Sequence, residues 1–189
     1  MAFVWQGKSF YKKLFEDMCS LNDSKQKHIQ ILEQYKSFVS FLGALGSNNQ
    51  ILSVVPFSSN EFPDTYIVFI AQESTRNQVY TICGHVMNRL RQDDWVYRAF
   101  VDINPSTHKA ELIDNISKYQ RQGIGTLGMK IIRRFLEDRY CVMLYGQMMS
   151  YPKEEQASLI AFYQKNGFEI SGDSIKLHLE PPDPRFLYI

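Results

Sequence analysis

Cysteine is scarce in this chain: its 189 residues contain three, Cys19, Cys83 and Cys141, too few and too far apart for a disulfide framework. None forms a Cys-x-x-Cys pair, and the four histidines (His28, His85, His108, His178) show no His-Glu-x-x-His spacing, so no metal site is expected. Charge of one sign is also lacking, since 21 Lys and Arg against 20 Asp and Glu leave a formal charge of +1. That balance supplies no basic field for nucleic acid and no polybasic face for an anionic membrane. The best uninterrupted apolar run, Tyr66–Ala71, falls far short of the ~20 residues a membrane-spanning helix needs. The opening stretch MAFVWQGKSFYKKLF has neither the apolar core nor the small-residue cleavage site of a secretory signal. A reduced, cytoplasmic protein is the expectation. Repeats, low-complexity tracts and linkers are missing too, so a single domain over residues 1–189 is expected.

What is present is an ordinary globular composition, 44% hydrophobic and 22% charged, in a chain long enough to bury its own core. Residues 1–50 read as helical. Phe10, Leu14 and Met18 recur at four-residue spacing, Asn22-Asp23-Ser24 marks a break, and Ile31, Tyr35, Phe38, Leu42 and Leu45 continue an apolar stripe. From residue 51 the pattern turns to strands: Ile51–Val55, Thr65–Gln72, Gln78–Asn88, Trp95–Ile103 and Lys109–Ile116, rich in β-branched and aromatic residues. By period two, Ala110, Leu112, Asp114 and Ile116 share one face of the last of these. A helix comes next, with Ile124, Leu127, Ile131 and Phe135 on one side. Then come a strand at Cys141–Met148, a helix over Glu154–Lys165 ended by Asn166-Gly167, and two short strands, Phe168–Ser171 and Ser174–Leu179, around Gly172-Asp173. Pro181-Pro182-Asp183-Pro184 is extended, and the apolar Phe186-Leu187-Tyr188-Ile189 after it is expected to dock on this domain or on a second copy, which leaves a homodimer open.

Two segments carry chemistry. The first is the strand-to-helix junction Gln120-Arg121-Gln122-Gly123-Ile124-Gly125-Thr126. Glycines two apart at a helix start let the chain turn tightly and leave amide N–H groups facing outward, an arrangement suited to phosphate. No Lys-Ser or Lys-Thr comes after it as in a P-loop. Gly128 gives a third glycine, but without the upstream βαβ context of a dinucleotide fingerprint, so nucleotide binding is a minor alternative. The second segment is Tyr163-Gln164-Lys165-Asn166-Gly167-Phe168, which read alone is a core aromatic, a helix cap and a buried strand residue.

Together the two segments resemble the GNAT superfamily of acetyl-coenzyme A-dependent N-acetyltransferases. Its Gln/Arg-x-x-Gly-x-Gly/Ala signature is matched by Gln120–Gly125 and its later Tyr-x-Lys-x-Gly-Phe motif by Tyr163–Phe168. The resemblance covers residues 109–180 by motif and the rest by topology. It implies an α/β fold, a mixed, mostly antiparallel twisted sheet flanked by helices on both faces, with residues 1–50 covering the acceptor side. It implies no metal and no covalent acyl-enzyme, but direct attack by a primary amine, of a small molecule or a protein, on acetyl-coenzyme A in a ternary complex. The amides of Arg121, Gln122, Gly123, Ile124, Gly125 and Thr126, led by Gln120, would hold the cofactor diphosphate. Asn115 and Ile116 would hydrogen-bond the pantetheine arm where their strand splays from Cys141–Met148. Tyr163 would protonate the leaving thiolate. The loop Ser117-Lys118-Tyr119 is shorter than in many relatives, Gln156 stands where an Asn is common, and Trp95–Ile103 reads as an added hairpin arm.

A base must take the ammonium proton, and the strand offers Asp114 and Glu111. Regular alternation puts them on opposite faces, with Asp114 beside Leu112 and Ile116; Asp114 is favoured, and a water chain is the other route. Cys141 opens an apolar strand with no His beside it in sequence and reads as a structural thiol. A non-catalytic acyl-coenzyme A-binding or scaffold module of the same fold is the competing class.

Overall fold

The computed structural model describes residues 3–44, 48–74, 78–87, 94–148 and 153–182. The chain divides into two compact units, residues 1–44 and 45–189. The first is a single helix, α1 (Phe3–Ala44), without the break expected at Asn22-Asp23-Ser24. It runs unbroken through Asn22-Asp23-Ser24 because such residues cost a helix interior only tenths of a kcal/mol each, less than a new pair of uncapped ends.

In the second unit, alternating β-branched and aromatic residues produce eight strands in one sheet. A meander of β1 (Asn49–Phe57), β2 (Thr65–Glu73), β3 (Val79–Val86), β4 (Trp95–Asn104) and β5 (Lys109–Ser117) is followed by α2 (Ile124–Glu137). Then come β6 (Met143–Gln147), α3 (Lys153–Lys165), β7 (Glu169–Ser171) and β8 (Ser174–His178). The spatial order is β1-β2-β3-β4-β5-β6-β8-β7. Every described pairing is antiparallel except β5 with β6, which the α2 crossover makes parallel. The fold is therefore α/β with a mixed, mostly antiparallel open sheet. Pro56 is tolerated because β1 is an edge strand.

Two irregularities set the site. Gly84 pairs with Tyr97 but His85 with Trp95, so Val96 is an extra residue in β4. Val101 pairs with Leu112 but Phe100 with Asp114, so Ile113 is an extra residue in β5. Such bulges bend a strand, increase its twist and reverse the facing of the residues beyond them. Tyr97, Ala99 and Val101 consequently share a face with Ala110 and Leu112, buried against α2, while Trp95, Arg98 and Phe100 look the other way.

The buried stripe of α2 is Ile124, Gly128, Met129, Ile132, Phe135 and Leu136, with Leu127 and Ile131 only half-buried. A Cβ on Gly128 would lie 2.5 Å from Cε1 and Cε2 of Tyr97, so the bare backbone there is what lets the helix sit on the sheet. Tyr97 is fully buried, its hydroxyl 3.7 Å from the Met129 Sδ. Of the helices expected around the sheet, α2 and α3 occupy this one face, and their apolar residues join Leu144, Ile175 and Leu177 in a single core. Residues 183–189, the segment expected to dock, lie outside the described residues. No described helix is long and apolar enough to cross a membrane.

Candidate active site

Parallel strands β5 and β6 form a fork. Their pairing runs from Lys109–Met143 to Leu112–Gly146 and stops, while β5 continues to Ser117. At the fork itself a Cβ on Gly146 would meet the Leu112 carbonyl oxygen at 2.7 Å, so only glycine allows the strands to approach this closely. One residue on, the Ile113 bulge bends β5 away. The backbone of residues 113–117 is left with β4 on one side and no strand on the other among the described residues.

The open end of the fork meets the start of α2. Gly123, at φ +82°, occupies the cap position with no side-chain hydrogen bond, and Arg121 is also left-handed at φ +59°. The first intrahelical bond is donated by the Leu127 amide to the Gly123 carbonyl at 3.0 Å. The amides before it have no helical acceptor and sit at the positive end of the helix dipole. Phe162 of α3 closes on this corner: a Cβ on Gly125 would lie 3.1 Å from its ring and 4.0 Å from the Ser117 Cβ. Asn115, on the face toward α2, has a buried Oδ1 with no hydrogen-bond partner.

The Tyr163–Phe168 motif closes α3 by local physics. The Phe168 amide donates to the Tyr163 carbonyl and the Gly167 amide to the Gln164 carbonyl, both at 3.0 Å, around a left-handed Gly167 at φ +87°. This is a Schellman ending, and its usual apolar clasp is the Tyr163–Phe168 ring pair at 5.2 Å. Tyr163 is buried, with Phe162 at 5.2 Å on another side. Burial, and then the neighbouring Tyr163, push the Tyr97 phenol well above its ordinary pKa. The motif thus holds a buried phenol close to the cleft corner that Phe162 shares with Gly125.

No family model matches the chain, and no curated protein does. Solved structures do. Among the matched structures are GNAT-family acetyltransferases. An acetyltransferase of the GNAT family from Staphylococcus aureus Mu50 is 11% identical over 54% of this chain and 68% of its own, with a TM-score of 0.43. GCN5 from Tetrahymena is 12% identical over 56% of this chain and 71% of its own, with a TM-score of 0.43. An aminoglycoside 6'-N-acetyltransferase complexed with coenzyme A is 15% identical over 57% of this chain and 77% of its own, with a TM-score of 0.45.

The sequence reading put Asp114 on one face with Leu112 and Glu111 on the other, and here the register corrects it. Because Ile113 is an extra residue, Asp114 does not share a face with Leu112. It opposes Phe100 while Glu111 opposes Asp102, so both carboxylates look away from α2. Asp114 is exposed and lies past the fork; its Oδ1 accepts the Asn115 amide at 2.7 Å. Glu111 lies before the fork, level with Tyr145. Sequence reasoning missed the group around Trp95 on this outer face. The Arg98 guanidinium stands 4.4 Å from the Trp95 ring centre and 5.3 Å from that of Phe100, and the Lys118 ammonium stands 4.3 Å from Trp95. Strict alternation would have separated Trp95 from Arg98; the Val96 bulge unites them.

A cavity of about 290 Å³ lies at the opposite end of β4 and β5, lined by Tyr80, Ile103, His108, Arg139 and Cys141 among others. It is remote from the fork and holds none of the residues that border the cleft. Cys141 is fully buried there, and burial pushes its thiol up despite the nearby Arg139 charge, which fits a structural thiol.

Proposed function

We propose that this chain transfers an acetyl group from acetyl-coenzyme A to a primary amine by direct attack in a ternary complex. The observation that carries this reading is the fork, open beyond Leu112 and Gly146 and abutting the uncapped start of α2. The residues present suit the donor. A free strand edge at 113–117, the buried Asn115 Oδ1 without a donor, and outward amides led by a left-handed Gly123 offer what pantetheine amides and a diphosphate require.

Bound acetyl-coenzyme A supplies the acetyl thioester. The amides of Arg121 to Thr126, with Gln120 leading them, hold the diphosphate through orphan N–H groups and the helix dipole. Asn115 and Ile116 align the pantetheine arm as an added strand would be aligned. Tyr163, a buried phenol, gives its proton to the thiolate as the carbon–sulfur bond breaks. The amine enters from the face away from α2, where Asp114 takes its proton; Glu111, below the fork, is out of line for that role. Amine and thioester held in one slot gain the advantage of proximity.

The reading is tested by calorimetric titration with acetyl-coenzyme A, followed by coenzyme A thiol release over a panel of amines. Binding with release is expected. Binding without release on any amine would leave a non-catalytic acyl-coenzyme A module, and no binding would remove the reading altogether.

A further inference from the structure

We infer that the acceptor amine is carried on a molecule with a carboxylate several bonds from its nitrogen, and that Arg98 and Lys118 hold that carboxylate beside Trp95. The inference rests on the acetyl-transfer reading of the fork. Both cations stack on a single indole, and neither has a carboxylate of the described residues within ion-pair distance. Like charges gathered on one ring repel each other, a cost that cation–π attraction offsets only in part and that a bound anion would relieve. Arg98 is also pre-positioned: its guanidinium carbon is held by both the Trp95 and Phe100 rings, and its Nε is buried with no partner, leaving the terminal nitrogens of the planar group to meet a carboxylate.

Location ties the pair to the slot. Arg98 pairs across with Ile116, on the part of β5 that borders the open fork, and the Lys118 amide donates to the Val96 carbonyl at 3.0 Å. Both therefore belong to the face away from α2, the face from which the amine enters. From β4 across β5 to the slot is between one and two strand spacings, about 5–10 Å. An α-amino acid is too short for that span. In 6-aminohexanoate six bonds separate nitrogen from carboxyl carbon, about 7 Å at standard bond lengths.

The experiment compares 6-aminohexanoate, hexylamine and 1,6-diaminohexane as acceptors for the full chain, and measures 6-aminohexanoate binding by calorimetry for the wild type, Arg98→Met and Lys118→Met. A kcat/KM for 6-aminohexanoate at least tenfold above both other amines is expected. Each substitution should bring that preference toward unity and weaken 6-aminohexanoate binding at least tenfold. A preference for the diamine, or carboxylate binding indifferent to both substitutions, would overturn the inference. Loss of preference in Lys118→Met alone still discriminates if Arg98→Met fails to fold, because Lys118 is exposed. If no amine is acetylated yet 6-aminohexanoate binds through Arg98 and Lys118, the anion site stands and the acetyl-transfer reading falls.

Discussion

Replacing Gly128 with Ala tests how α2 is seated. Helix propensity alone would make the substitution favourable by about 1 kcal/mol, since alanine is the better helix former. The tertiary contact opposes it. The new methyl would fall 2.5 Å from two ring carbons of Tyr97, whose ring is fully buried between α2 and the sheet. Overpacking of a rigid core site costs about 1–3 kcal/mol and at times more. With the Phe69 ring centre 5.9 Å from its own and the Met129 Sδ 3.7 Å from its hydroxyl, the tyrosine has little room to move and the upper part of that range applies. The net expectation is a loss of about 2 kcal/mol, or roughly 4–8 °C in thermal midpoint for a chain of this size. Thermal unfolding followed by circular dichroism measures it. Tyr97→Leu placed in the same background should return part of the loss, because the two changes relieve one another. Acetyl-coenzyme A affinity should fall as well, since lifting α2 displaces the amides at its start. A midpoint equal to or above that of the wild type would show that the ring yields freely, and the account of the helix seat would be wrong.

Gly123→Val puts a β-branched residue at φ +82° where space is open, so it should cost about 1–2 kcal/mol in strain yet lower acetyl-coenzyme A affinity by tenfold or more; unchanged calorimetric binding by the folded variant would sink the diphosphate assignment. Tyr163→Phe keeps the Schellman clasp with Phe168 and removes only the hydroxyl, so kcat should drop by roughly 10²–10⁴-fold with cofactor affinity little changed, whereas wild-type turnover would remove Tyr163 from the mechanism. The raised pKa of Tyr97 means the native state keeps a proton that the unfolded chain releases. Its contribution is fully present below the ordinary pKa of 10.0 and is lost as pH rises toward the folded value, at up to about 1.4 kcal/mol per pH unit. Tyr97→Phe should flatten the alkaline limb of a denaturant-midpoint profile, and an identical limb in both proteins would refute the assignment.

The amino-acid sequence by itself determined the elements from residue 49 onward, because their signals are local. Alternation of β-branched and aromatic residues marked β1–β5, Gly123 marked the start of α2, and Asn166-Gly167 ended α3. Both motif segments were legible for the same reason: each is a backbone device, a left-handed glycine at a helix start or a Schellman clasp at a helix end, written in consecutive residues. The continuity of α1 was not legible, because Asn, Asp and Ser are weak breakers whose effect depends on whether the chain leaves the helix. Facing was decided only by tertiary structure. One unmatched residue, Val96 in β4 or Ile113 in β5, reverses every side chain beyond it, and nothing in a run of β-formers says which residue will be unmatched. Those two bulges moved Asp114 away from Leu112, gathered Arg98 and Lys118 on Trp95, and bent β5 from β6. The sheet pairs on both sides of β5 chose them, and a strand's partners are not written in the strand itself.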